Sequence, residues 1–353
     1  MTAHPNTAVA VDREWCHDVI SNVSRTFAIT VDRLEEPMAT DVCVSYLCCR
    51  IADTVEDAGH VPPVEQTALL TAYLRVLDPD DSFTAERFLE TIEPWLPAEG
   101  TDEWDRDWQL VAETPRVVRT FEALDPRSKE AVRAPIRELV DGMATFTDRY
   151  ADEGGLRLQT VSELEEYCWY VAGTVGTLVT GLLEGELPDQ HARKLASNAR
   201  SFALLLQLVN VAKDVEDDYH SEGNVYLPGE WLAAENVHAE EVTAPENRHG
   251  VAAVVRRVAS RAETYLDDAQ QYLELLPEHR GNTLDAWAIP YLLAVGTLRE
   301  LRDRPMDVFH DGDVKVSREE VYTLLRRFDE GVDRTELAEL RATIASRPLH
   351  LVD

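Results

Sequence analysis

Apolar positions recur at three- and four-residue spacing along almost the whole chain. That period gathers them on one face of an α-helix. It predicts helices around 12–34, 39–57, 64–77, 84–94, 104–124, 127–150, 162–184, 189–219, 249–275, 283–303 and 318–346. Turn signals separate them at Pro62-Pro63, Asp78-Pro79-Asp80, Pro97-Ala98-Glu99-Gly100, Gly154-Gly155 and Leu187-Pro188-Asp189. The best strand candidate is the short stretch Asp313-Val314-Lys315-Val316-Ser317. No internal repeat of fixed period is present. The expected fold is all-α, a single domain over 1–353 with residues 1–10 as a flexible N-terminus.

Two helices carry marks beyond their period. One opens with Ser162-x-x-Glu165, a capping-box pattern. It also contains Gly173 and Gly176, each costing about 1 kcal/mol relative to alanine inside a helix. Close approach of another helix accounts for them, and so does close approach of a ligand. The helix ending at Asp218 places Gln207 and Asn210 among leucines and valines. Buried amides need partners. A neighbouring backbone, a metal's water shell or a diphosphate would each serve.

The chemistry concentrates in two acidic turns, Asp53-Thr54-Val55-Glu56-Asp57 and Asp214-Val215-Glu216-Asp217-Asp218. Each sets two aspartates four residues apart, one helical turn along a shared face. With 66 acidic residues against 34 basic ones, such a pair arises by chance on many solvated faces. The flanks argue otherwise: Val44 to Ala52 and Phe202 to Ala212 are nearly all apolar, so these helices are expected to be buried. Like charges one turn apart on a buried helix are costly unless a cation or a basic partner compensates. Two such pairs face to face would hold Mg²⁺, or Mn²⁺, and leave positions for phosphate oxygens.

The net charge of −32 changes the picture twice. It argues against nucleic-acid binding. It also comes with only four lysines, Lys129, Lys194, Lys213 and Lys315. Acid excess with few lysines suits molar salt, where the Debye length falls to about 3 Å and self-repulsion is screened. A halophilic source is the expectation. The acids are spread along the chain rather than gathered in a tail, against an acidic surface made for one basic partner. No run of eighteen apolar residues and no signal-peptide pattern at Met1 are found. A cytoplasmic protein is expected, with any membrane contact peripheral. Cys16, Cys43, Cys48, Cys49 and Cys168 have neither zinc-site nor disulfide-framework spacing and read as core residues.

These residues together resemble the squalene synthases, within the wider squalene and phytoene synthase family. Ser24-Arg25-Thr26-Phe27-Ala28 is similar to the family's S-R-S-F-A segment, and Tyr46-Leu47-Cys48-Cys49-Arg50 leads into the D-T-x-E-D form of squalene synthases. Tyr167 to Gly176 is similar to Y-C-x-Y-V-A-G-x-V-G. Gln207-x-x-Asn210-x-x-x-Asp214-x-x-x-Asp218 matches the second aspartate-rich motif. Ala288-Ile289-Pro290 and Val314-Lys315-Val316 resemble C-terminal squalene-synthase segments. Three departures stand out: Ser317 and Lys213 replace arginines, and Asn224-Val225-Tyr226-Leu227-Pro228 looks like the phytoene-synthase form. Eukaryotic squalene synthases end in a membrane anchor, and none is expected after Arg347 here.

The resemblance implies the isoprenoid-synthase helical bundle with a central active-site cavity. It implies head-to-head condensation of two farnesyl diphosphates through presqualene diphosphate, with NADPH reduction to squalene. Phytoene or dehydrosqualene formation without reduction is the alternative. Asp53, Asp57, Asp214 and Asp218 are then the metal ligands, mostly through waters, with Glu56 matching a residue of the metal motif and expected, like Asp217, outside the ligand shell or solvated. Tyr167 matches a tyrosine implicated in proton removal. Ser24, Arg25, Phe27, Tyr46, Arg50, Gln207 and Asn210 fall on substrate positions, and Arg25, Arg50, Lys213 and Lys315 on NADPH positions. For Arg50, a plain ion pair with Asp53 or Asp57 stands beside the phosphate role. The expected working unit is a monomer.

Overall fold

Side chains start many of the helices. Ser24, Thr84, Asp105, Asp125, Thr160, Ser317 and Asp333 each turn an oxygen onto a backbone N–H of the first turn. These are the residue types that satisfy the donors a helix start leaves unpaired. The computed structural model describes residues 5–101, 104–184, 187–277, 281–309 and 314–352, without the side chains of 5–11, Arg25 and Glu184.

Among the described residues the architecture is all helical. The helix Asp189–Lys213 runs through the middle, packed by Thr174–Glu184, Arg248–Glu263, Leu266–Leu275 and Thr283–Asp303. The helix Met38–Glu56 lies against Pro126–Arg149, Pro63–Leu77, Arg106–Ala112 and Thr114–Glu122. One continuous apolar core joins both groups, and all five cysteines are buried in it as free thiols.

Several predicted helices are divided. The stretch 12–34 is Pro5–Val23 and Arg25–Arg33, because Ser24 leaves the helical region (φ −155°) to cap the second. The first helix starts at Pro5, inside the segment expected to be flexible. The stretches 104–124, 249–275 and 318–346 also split, the last where Asp333 caps a new helix. The helix starts earlier than read: Thr160 caps Val161–Cys168 and accepts from the Glu163 N–H, while the Glu163 carboxylate accepts from the Gln159 N–H at 2.7 Å, so no reciprocal capping box closes. The strand candidate is absent: Val314 to Ser317 form no strand, and Asp313 lies outside the described residues.

Two π-helical turns interrupt the long helices. Trp169–Gly173 follows Tyr167, and Asp218–Glu222 follows the second acidic turn. Such turns insert a residue and rotate what comes after, and they collect at functional sites. Both glycines of the 162–184 stretch have a packing reason. A Cβ on Gly173 would sit 2.2 Å from the Trp169 ring, and one on Gly176 would sit 2.9 Å from the Ala199 carbonyl oxygen.

Candidate active site

Both acidic turns close helices. Asp57 ends Met38–Glu56, and its N–H donates to the Asp53 carbonyl at 2.9 Å. Asp214 ends Asp189–Lys213, and the Asp218 N–H donates to its carbonyl at 2.8 Å. The i,i+4 spacing survives at both ends, although neither turn lies inside a continuous helix.

Both turns feel the charge of one further acid, Glu222. Asp57 is pushed well above the usual carboxylate range, first by burial and then by Asp53, Glu222 and Glu56. Asp218 is pushed up to about 9 by burial, Glu222 and Asp214. Glu222 itself rises to about 7, by burial and then by Asp53. Glu222 thus couples the turns; the sequence reading missed it because it sits beyond the second motif.

Glu56 is 3% exposed, so of its two expected placements the solvated one falls away. One oxygen accepts from the Tyr167 hydroxyl at 3.3 Å, and its Oε1 is buried with no hydrogen-bond partner. Burial, Asp53 and Glu222 drive its pKa far up. Buried, like-charged, hard oxygen donors with an unpaired lone pair fit a divalent cation. Among the described residues, no three such groups are already gathered closely enough to hold one ion between them.

Arg50 is committed to carboxylates. Its Nε and Nη2 donate to the two Asp107 oxygens at 2.9 Å each, and its Nη1 pairs with Asp53. Burial opposes its charge, and Asp53 and Asp107 outweigh burial. Arg50 thus pairs with Asp53 and not with Asp57, and Asp107 is a partner that no motif points to.

Tyr167 is buried and stacks on Tyr226, ring centroids 5.0 Å apart at 23°. Its pKa lies well above that of a free phenol, through burial and then the charges of Glu56 and Asp57.

Beside the acids opens a largely apolar cavity of about 590 Å³. Ser24, Phe27, Tyr46, Gln207, Asn210, Lys213 and Lys315 all line it, together with Gly176, Phe202, Trp287 and Pro290. Phe27 stacks on Tyr46 at 4.1 Å and meets Trp287 at 6.1 Å. The amides differ from expectation: Gln207 is half-buried and Asn210 exposed, both facing the cavity rather than packed among leucines. Lys213 pairs with Asp214. Arg50 is not on the cavity lining, and the Arg25 side chain lies outside the described residues. Ser317 accepts from the Glu320 N–H at 3.2 Å as a helix cap. A wider surface groove of about 1020 Å³ near Trp15 and Trp104 is lined by none of the predicted site residues.

The family model described as squalene/phytoene synthase matches residues 20–320. The squalene synthase of Schizosaccharomyces pombe is 26% identical over 305 residues, 86% of this chain and 62% of that protein. This chain thus spans less than two thirds of the length of the first curated relatives it matches. Among solved structures, a ligand complex of TcSQS superposes with a TM-score of 0.74, at 21% identity over 95% of this chain and 97% of that one. A dehydrosqualene synthase in complex with ligand gives 0.63 at 23% identity, over 93% and 98%. These establish a shared all-α fold.

Proposed function

The chain belongs to the squalene/phytoene synthase family, and on that premise we propose that it joins two farnesyl diphosphates head to head into presqualene diphosphate and reduces this with NADPH to squalene. One observation carries the reading. Two half-buried carboxylate turns, each within reach of the Glu222 charge, stand beside a largely apolar cavity lined by Lys213 and Asn210.

Asp53, Asp57, Asp214 and Asp218, with Glu56 behind them, would hold Mg²⁺ or Mn²⁺ through waters, as the spread of the carboxylates suits. A bound metal would supply the positive charge that offsets the diphosphate's as its C–O bond breaks. Lys213 beside Asp214 and Arg50 beside Asp53 supply fixed positive charge for the departing phosphate oxygens. Arg25 is proposed to join them. Phe27, Tyr46 and Trp287 keep water from the allylic cation and turn aromatic faces to it. Tyr167 stays protonated, so it steers the proton lost as the cyclopropane closes toward the released diphosphate, the stronger base.

For the reductive half, two of the chain's four lysines, Lys213 and Lys315, line the same cavity. They are proposed to meet the phosphates of NADPH. A second reading, condensation without reduction to dehydrosqualene or phytoene, draws on Ser317, whose side chain caps a helix and supplies no positive charge. The protein is proposed to act as a cytoplasmic monomer that meets a membrane only to release its product. No helix of the described residues is long and apolar enough to cross one.

Mass-spectrometric analysis of products from farnesyl and geranylgeranyl diphosphates, each with and without NADPH, tests the proposal. Squalene from farnesyl diphosphate only when NADPH is present supports it. A hydrocarbon formed equally well without NADPH selects the second reading.

A further inference from the structure

The segment Asn224-Val225-Tyr226 is a marker in the sequence without a role in the reaction. The structure gives it a place. Residues 156–159 and 224–230 zip together: Val225 N–H donates to the Leu156 carbonyl at 2.9 Å, Leu158 N–H to Val225 at 3.3 Å, and Gly229 N–H to Leu158 at 2.8 Å. Gly155 makes the approach close, since a Cβ there would lie 2.3 Å from the Gly223 carbonyl oxygen. Arg157, buried beneath, donates to that same carbonyl at 2.6 Å. The zip thus fixes Asn224 and Tyr226 to the rest of the fold by backbone bonds.

Asn224 then spends both ends of its amide. Its oxygen accepts from the Leu156 N–H at 2.8 Å, and its nitrogen donates to the Tyr226 hydroxyl at 2.9 Å. The Tyr226 hydroxyl also lies 3.3 Å from the Tyr167 hydroxyl and 3.3 Å from Glu222 Oε2. A phenol has one proton to give and accepts up to two. Accepting from Asn224, donating to Glu222 and accepting from Tyr167 fills it. Tyr167 has one proton and two acceptors within reach, the Tyr226 hydroxyl and Glu56 Oε2, each at 3.3 Å, so Tyr226 competes with Glu56 for that proton and sets where a Tyr167 lone pair points. The stacked rings hold the two hydroxyls side by side.

We propose that Tyr226, anchored by Asn224, is a positioning residue that orients the Tyr167 hydroxyl for proton removal in the condensation step. The inference rests on the reaction proposed above. It assigns the Asn224–Tyr226 segment to the first half-reaction, and not to the choice between reduction and its absence.

The test is a double-mutant cycle of Tyr167→Phe and Tyr226→Phe in the full chain, with Asn224→Leu as a third variant. Presqualene diphosphate formation is followed with farnesyl diphosphate and Mg²⁺, without NADPH. Tyr226→Phe keeps the ring and is expected to lower kcat about tenfold or more, with KM and the melting temperature nearly unchanged. In the Tyr167→Phe background it should add nothing, because it acts only through that hydroxyl. Asn224→Leu should lower kcat in the same direction. Additive losses, or a loss in KM alone, overturn the inference. If the wild type turns over neither farnesyl nor geranylgeranyl diphosphate, the proposed reaction fails. The orientation claim is then decided by NMR of ¹³Cζ-labelled tyrosine. A Tyr167 resonance that moves in Tyr226→Phe upholds the hydroxyl contact, and one that does not move refutes it.

Discussion

Arg50 and Asp107, 57 residues apart in sequence, meet through two parallel bonds of 2.9 Å on the flank of the first acidic turn. This fork leaves Arg50 one further nitrogen, which takes Asp53. A guanidinium held on one side by a rigid carboxylate presents its remaining nitrogen in a fixed direction. Asp107→Asn should therefore lower kcat/KM for diphosphate release about tenfold, by loosening the direction in which Arg50 meets Asp53. The pair is only partly buried, so the stability loss should stay near 1 kcal/mol. Release kinetics and a thermal melt on one preparation check both figures; a large stability loss with unchanged turnover would make the fork structural.

The coupled carboxylates give a pH dependence of defined sign. Glu222 is pushed up to about 7 and Asp218 to about 9, above the roughly 4 of a free carboxyl. A group with a raised folded-state pKa contributes its full stability below its unfolded value and loses it as pH rises through the folded one. Metal-free protein at fixed salt should therefore lose melting temperature steadily from pH 5 to 9. Added Mg²⁺ binds the ionised form, so it should stabilise more at pH 8 than at pH 6. Melts in chelator and in Mg²⁺ across that range measure this. An Mg²⁺ effect independent of pH would remove the carboxylates from the metal site.

Neutralising single acids separates ligands from neighbours. Asp53→Asn or Asp214→Asn should abolish Mg²⁺-dependent diphosphate release while circular dichroism stays unchanged. Turnover at the wild-type rate in either would refute the ligand assignment.

Gly176 is the point where Thr174–Glu184 rests on Asp189–Lys213. Alanine there would press on a backbone carbonyl 2.9 Å away, which cannot swing aside as a side-chain tip can. Gly176→Ala should cost about 1–3 kcal/mol in denaturant titration through overpacking. A shift of under half of that would mean the helices separate freely.

Lys315 is exposed and lines the cavity. Lys315→Ala should slow reduction more than condensation, so presqualene diphosphate should build up when NADPH is present. Equal slowing of both steps would count against a cofactor contact.

The acid turns were legible because few sequences place such charges inside apolar flanks like Val44 to Ala52 and Phe202 to Ala212. The helix breaks at Ser24 and Asp214 were not, since the apolar period runs straight across both. Asp107 and Glu222 were invisible for a different reason. Each looks like one more acid in a chain of 66, and its meaning comes only from tertiary contact with Arg50 or the opposite turn. Tyr226 was visible as a family mark, but its stacking on Tyr167 is set by the 156–230 zip, which no periodicity reports.

The reductive step is the most exposed part of the account, and one labelling experiment reaches it. Farnesyl diphosphate and Mg²⁺ are supplied with NADPH deuterated at C4 of the nicotinamide, and the hydrocarbon product is weighed. Squalene carrying one deuterium is the expected product. Dehydrosqualene or phytoene without deuterium, formed at the same rate when NADPH is left out, would contradict it.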